Sequence, residues 1–380
     1  MPTLRPRRWR LCRAMSAVSA ISLLACAVPL QPGMARHAEK LHVALTSERV
    51  LNAVAVADNG RRFVSFPYWG GGGSGGPTVA EIDANGQPHA FPDARWNHPD
   101  GTKGMLQPFV RVNAIRIGPD GLLWVVDSGN ANVGGPASPA DGAPARLLAF
   151  DITTGAVIHA LSLRAASTPH SYMDDIRFHD DTIFVTDAGD PALVVVNLST
   201  GAQRRVLAHD RSTTDERSMY AEGKLLRVDG KPTRIHADQL EVSPDGRTLY
   251  FQPSSGPMWA APTAALENPA MPAADLARSV SLFYNTPSSG GSAIDGDGNL
   301  YVSDVDRLRI LRITPQGKAS TLIRDRRLVW ADAMWIDSHG VLWIPAVQLN
   351  RTATFQPDGI SRVKLPVAIY TLDLHLKPVR

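Results

Sequence analysis

The amino-acid sequence predicts an all-β protein, a six-bladed β-propeller closed by pairing of its N- and C-terminal strands. Three observations predict it: a hairpin unit that recurs six times, a spacing of the copies that matches a propeller blade, and a short apolar strand near each end of the chain. The clearest copy is residues 113–129, NAIRIGPDGLLWVVDSG. An alternating apolar strand runs to Pro119-Asp120-Gly121 and a second apolar strand leaves it. Proline presets φ and glycine accepts positive φ, so this is a hairpin turn. The unit returns at Asn52, Asp174, Asp238, Gly290 and Asp332. In five copies the opening residue stands eight positions before the turn glycine, at Gly60, Gly121, Gly246, Gly298 and Gly340. The third copy is one residue shorter and turns at Asp180-Asp181. Openings 42 to 64 residues apart suit four-stranded blades and no helical solenoid.

From the start of the chain, residues 1–26 read as an export signal. Arg5, Arg7, Arg8, Arg10 and Arg13 stand without an acid, and an apolar, Ser/Ala-rich run follows. That run is too short and too rich in small residues for a stable membrane span. Leu23-Leu24-Ala25-Cys26 has the look of a lipobox, which would put a lipid anchor on Cys26. The expected location is therefore outside the cytoplasm, periplasmic or secreted, with or without that anchor. Residues 27–40 form a tether and 41–380 the propeller, with no composition shift to mark a second domain.

Export changes the meaning of the composition. The whole chain carries 39 basic and 36 acidic residues. Without the five leader arginines it has 34 basic against 36 acidic, so its basic balance belongs to the leader. A clustered basic face of the kind nucleic acid requires is not expected, and the chain is read as a monomer. Both cysteines, Cys12 and Cys26, precede the propeller, which can hold no internal disulfide.

Residues 41–45 (LHVAL) and 367–374 (VAIYTLDL) are the strands expected to pair and remove an exposed edge. The loops at 69–77, 129–145 and 260–277 are rich in Gly, Pro or Ala, and the last has room for a helical turn. Residues 72–76 satisfy G-x-S-x-G by coincidence, because a nucleophile elbow needs a strand–turn–helix context. Zinc-binding Cys/His patterns are missing, and the eleven histidines are scattered.

The informative constellation is the set of opening residues. Innermost strands of a propeller line its axis, so Asn52, Asn113, Asp174, Asp238, Gly290 and Asp332 should form a ring. Asp and Asn are poor strand formers, and five of six such positions are spent on them. One reading is capping, in which each side chain satisfies backbone groups at its strand entrance. The other is a polar pocket at one mouth, suited to a polar ligand or to a hard cation such as Ca²⁺ or Mg²⁺. On that reading Asp174, Asp238 and His236 are the candidate acid–base residues, and Asn52, Asn113, Asp175 and Asp332 the candidate ligand-binding residues. His236, two residues ahead of Asp238, is expected on the same strand face as its partner. Asp127, Asp187 and Asp304, each ending a second strand, are read as turn caps.

With these segments in view, the chain resembles the Yellow / major royal jelly protein family over about residues 48–374. VNAIRIGPDGLLWVVDSG, MDDIRFHDDTIFVTDAGDPALVVVNLSTGAQRRVL and ADQLEVSPDGRTLYFQPSSGPMWAAPTAAL carry the resemblance, followed by LYVSDVDRLRILR and RLVWADAMWIDSHGVLWIPAVQLNR. It implies a secreted propeller whose axial channel holds small aromatic amines in some members and is linked in others to dopachrome conversion, an isomerisation. The chain is more distantly similar to the gluconolactonase / senescence marker propellers, which bind one divalent metal through Glu, Asn and Asp. In that likeness Asn52 stands in the place of the Glu, Asp238 in that of the Asn, and Asp332 resembles the Asp. The functions expected are thus binding of a small polar or aromatic molecule, with or without isomerase chemistry, or metal-dependent lactone hydrolysis. A third is a protein-interaction scaffold working through exposed loops such as 69–77.

Overall fold

The computed structural model describes residues 40–67, 76–98, 105–129 and 144–379. The expected export signal, Cys26, nearly all of the expected tether and most of the 69–77 and 129–145 loops lie outside the described residues.

Six antiparallel four-stranded sheets follow one another along the chain. The first blade runs Val54–Val56, Arg62–Ser65, Val79–Ile82 and Pro88–Ala90. The second runs Val112–Ile117, Leu123–Asp127, Arg146–Phe150 and Val157–Ser162, and the third Met173–His179, Thr182–Asp187, Ala192–Asn197 and Gln203–Val206. The fourth holds Ala237–Val242, Thr248–Pro253, Met258–Pro262 and Ser281–Tyr284; the fifth holds Ser292–Ile294, Leu300–Asp304, Arg309–Ile313 and Ala319–Arg324. In the sixth, Trp335–Ile336 is innermost, followed by Val341–Ala346 and Val367–Asp373. His42–Ser47 then pairs antiparallel with Val367–Asp373 and completes that blade from the other end of the chain. This is the closure expected of the two terminal strands.

Each inner strand packs on the inner strands of the blades before and after it, and that of the sixth packs on that of the first. The core is correspondingly divided into six apolar clusters, one at each blade–blade interface. Alternate residues of one strand feed different clusters: Leu123 and Val125 face the first blade, Trp124 and Val126 the third. Both faces are covered, which is why these strands read as continuous apolar runs.

The turn glycines Gly60, Gly121, Gly246, Gly298 and Gly340 all have φ between +72° and +83°. In the shorter third copy Asp180 takes the left-handed position, with φ 47°. The expected helical turn near 260–277 is present as Thr263–Glu267 and Ala273–Ser279. An insertion the repeat pattern did not show lies between the third and fourth blades. It forms two small hairpins, Tyr220–Ala221 with Lys224–Leu225 and Arg227–Val228 with Lys231–Pro232.

Candidate functional site

The entrances of the inner strands open on a cavity of about 1680 Å³ at one mouth of the propeller. Asn52, Asn113, Asp174, Asp238 and Asp332 all line it. The two inserted hairpins and residues 349–364 form its outer wall. These covering elements are tied together, because Arg351 pairs with Glu222 at 2.5 Å and Asn350 donates to the same carboxylate at 2.8 Å.

Within the ring the side chains bond from blade to blade. Asn52 Nδ2 donates to Asn113 Oδ1 at 3.3 Å. Asn113 Nδ2 donates in turn to Asp174 Oδ1 at 2.5 Å. Asp174 and Asp238 are joined by a side-chain hydrogen bond, and Ser254 Oγ donates to Asp238 Oδ2. An amide both accepts and donates, so Asn on the first two blades passes hydrogen bonds on to carboxylates on the next two. Tyr172 adds a second donor to Asn113 Oδ1 at 2.9 Å. This hydrogen-bonded run has a loose end: Asn52 Oδ1 is buried with no hydrogen-bond partner among the described residues.

Two carboxylates in hydrogen-bond contact cannot both be ionised, so this pair holds a proton between them. Burial is the leading cause, raising Asp174 well above the usual carboxylate range, and the charges of Asp238, Asp175 and Asp332 add to it. Burial also raises Asp238, to about 6, against the opposing hydrogen bonds from Asp174 and Ser254. Near neutral pH the pair therefore carries one proton shared between the two carboxyls. Asp332 is likewise raised well above its ordinary value by burial, then by Asp238. Its oxygens accept from Trp330 Nε1 at 3.0 Å and from the Ala333 backbone at 2.7 Å.

Gly290 holds the remaining ring position for a steric reason. A Cβ there would lie 2.7 Å from both Ala331 O and Trp330 Nε1. Its missing side chain makes room for the indole that donates to Asp332.

Two expected residues are placed elsewhere. His236 lies just before the Ala237–Val242 strand, whose register shifts between Ala237 and Gln239, so the expected face-sharing with Asp238 does not arise. Its Nδ1 accepts the Asp215 backbone N–H at 3.0 Å, and among the described residues no hydrogen bond joins it to Asp238. Burial keeps its pKa below the ordinary value in spite of the Asp215 carboxylate. Asp175 sits in a similar irregularity, between Met173 and Ile176, and does not line the upper cavity. It pairs instead with Arg116 at 3.0 Å and Arg177 at 2.7 Å. Burial alone would raise Asp175, but the two guanidiniums outweigh it and hold the carboxyl well below its usual range.

That pairing belongs to a second belt, which sequence reasoning missed. Arg177 also clasps Glu241 at 2.6 and 2.8 Å, Ser292 donates to Glu241 at 2.8 Å, and Arg116 reaches Met334 O at 3.3 Å. The belt joins blades two to six, and Arg116, Arg177 and Glu241 line a smaller cavity of about 890 Å³ at the other mouth. A signal existed: Arg116, Arg177 and Glu241 each stand three residues after a ring position. Arg111, Tyr172 and Trp330 were also missed, although each stands two residues before one. All three line the upper cavity.

Asp127, Asp187 and Asp304 do accept backbone N–H groups, as turn caps should. Each also carries an arginine, respectively Arg146, Arg205 and Arg309.

The ring does not offer a ready cage for Ca²⁺ or Mg²⁺. The carboxylate oxygens named above already accept protein hydrogen bonds, and no three His, Cys, Asp or Glu side chains among the described residues are grouped as a metal would need. The donor set fits a shared proton.

The model of the major royal jelly proteins matches residues 110–373, more than half the chain. The chain belongs to the major royal jelly protein family. The match takes in blades two to five and nearly all of the sixth, so the first blade and the closing strand His42–Ser47 fall outside it. No curated protein matches by sequence. Among solved structures, a gluconolactonase from Xanthomonas campestris is 14% identical, with a TM-score of 0.55 over 89% of this chain and 90% of its own. A calcium-binding protein, regucalcin, from Agrobacterium tumefaciens is 13% identical with the same TM-score, over 90% of this chain and 95% of its own. A luciferin-regenerating enzyme is 11% identical, TM-score 0.53, over 90% and 97%. At such identities the likeness shows the fold this family member shares with them.

Proposed function

We propose that this major royal jelly protein binds a small polar or aromatic molecule in its upper cavity and isomerises it by proton transfer. The observation that carries the reading is the Asp174–Asp238 pair, one carboxyl protonated and one ionised near neutral pH, on the wall of a cavity large enough for such a molecule. Asp238 takes a proton from one atom of the substrate and Asp174 gives one to another. The dyad then holds the same single proton on the opposite partner, and transfer along its hydrogen bond restores the starting state. No net charge or electron is left on the protein. Family resemblance adds dopachrome as a substrate to try.

The test combines a thermal-shift screen of dopamine, tryptamine, catechol and gluconolactone with the decay of dopachrome measured optically. Asp238→Asn should slow turnover by about 10²–10⁴-fold, the usual contribution of a positioned acid–base group. Unchanged decay in that variant sinks the isomerase reading, and no thermal shift with any ligand sinks the binding reading.

Metal-dependent lactone hydrolysis is the competing reading. Its support is the unpartnered Asn52 Oδ1 and the likeness to a gluconolactonase and to a calcium-binding protein. Titrating Ca²⁺ and Mg²⁺ in the same assay separates the two, because a resident cation raises the melting temperature with its concentration. Export is proposed from the leader composition, and intact mass of the native protein tests it: a full-length N-terminus recovered from cytosol would end it.

A further inference from the structure

Among the described residues, Arg111 is a buried charged group at the upper cavity whose burial the ring does not explain. It enters just ahead of the Val112–Ile117 strand, and its backbone N–H is held by Asp127 Oδ1 at 2.8 Å. The residue is 8% exposed and lines the cavity. Its guanidinium lies 4.5 Å from the centre of the Tyr172 ring, the same Tyr172 that donates to Asn113. Nε is buried with no hydrogen-bond partner, and no carboxylate pairs with the side chain among the described residues. The other two buried arginines among the described residues are treated differently: Arg146 is clasped by Asp127 at 2.8 Å and Arg116 by Asp175 at 3.0 Å.

A buried cation without a counter-ion is costly and is normally paired. Stacking on an aromatic face offsets part of that cost but leaves Nε without a hydrogen-bond partner among the described residues. The rim above leans the same way, since Lys224, Arg227, Arg362 and Lys364 line the cavity against Glu222 and Asp229. A basic rim over a guanidinium with no paired carboxylate among the described residues attracts an anion and then fixes it.

We infer that the ligand carries a carboxylate, bound by Arg111, attached to an aromatic or other planar body lying over Tyr172 and the Asp174–Asp238 pair. The inference rests on the small-molecule reading above and adds to it the charge and orientation of the ligand. With the carboxylate held at Arg111, an N–H or O–H of the same molecule satisfies Asn52 Oδ1.

The test uses matched probes that differ only in charge: indole-2-carboxylate with indole-2-carboxamide, and 3,4-dihydroxyphenylacetate with its primary amide. Calorimetric titration of the wild-type protein should show each acid binding at least about tenfold more tightly than its amide, as expected for a charge-assisted pair. Arg111→Gln should erase that preference by weakening the acids alone, while Arg111→Lys keeps part of it. Equal affinity for acid and amide in the wild type overturns the inference, whatever the variants do. Equal weakening of both by Arg111→Gln also overturns it and leaves Arg111 as a brace for Tyr172. If dopamine or tryptamine binds and the acids gain nothing, the inference falls and the binding reading stands. If no probe or amine binds, both fall.

Discussion

Asp238 is the residue whose environment has the most direct consequence in solution. Burial raises its carboxyl to about 6, above the value of an unfolded aspartate. A group raised in the native state contributes stability that is whole below the unfolded pKa and lost as pH rises through the folded one. The melting temperature of wild type minus that of Asp238→Asn should therefore fall as pH is raised from about 4 through about 6. A flat difference across that window would show that Asp238 titrates normally. Its neighbour in the third blade, Asp175, behaves oppositely. Removing it leaves Arg116 without a carboxylate among the described residues and Arg177 with Glu241 alone, so Asp175→Ala should lower unfolding stability by about 3–5 kcal/mol. Urea unfolding measures this, and ligand-induced thermal shifts should be unchanged. A loss of ligand binding without loss of stability would reassign Asp175 to the upper site.

At the scale of the element, the six inner strands share an entrance position yet use it in different ways. Four entrances form a hydrogen-bonded run from Asn52 to Asp238, while the fifth is emptied to seat an indole against the sixth. Gly290→Ala would press a methyl group into Trp330 and the Ala331 carbonyl. Overpacking of this kind costs about 1–3 kcal/mol, and chemical denaturation would read it. A variant as stable as wild type would mean that Trp330 moves freely, and the account of Gly290 would then be wrong. The second strands have their own shared device. Asp127 faces Arg146 and Asp304 faces Arg309 as cross-strand partners, which ties strand pairing to charge pairing in both blades.

For the whole molecule, closure of the ring is the feature on which the blades jointly depend. His42–Ser47 covers the outer edge of Val367–Asp373, and Leu45 contributes to the cluster between the sixth and first blades. Deleting residues 40–47 would expose a seven-residue edge strand with unpaired backbone groups, a template for association. The truncated protein should melt well below the parent and form oligomers, detectable by light scattering during size exclusion. A monomer with an unchanged melting temperature would remove the closure from the stability argument.

Periodicity in the sequence was by itself enough to determine the number of blades, the turn positions and the terminal closure. These follow from local chemistry repeated six times: alternating apolar residues, a turn glycine and a polar entrance. The sequence also determined which five side chains, Asn52, Asn113, Asp174, Asp238 and Asp332, line one mouth, because equivalent positions in a closed ring must meet. Tertiary structure alone decided what each does there. Strict alternation puts His236 with Asp238, but a one-residue register shift gives His236 to Asp215 instead. Adjacent Asp174 and Asp175 are indistinguishable by composition, and an irregularity in the third blade sends one to a shared proton and the other to two arginines. The inserted hairpins that wall the cavity break the repeat and so left no periodic trace. The stacking of Arg111 on Tyr172, with its Nε unpartnered among the described residues, depends on groups brought together from distant parts of the chain. Strand patterns record which face a residue occupies; the company it keeps there is set by the packing of one blade against the next.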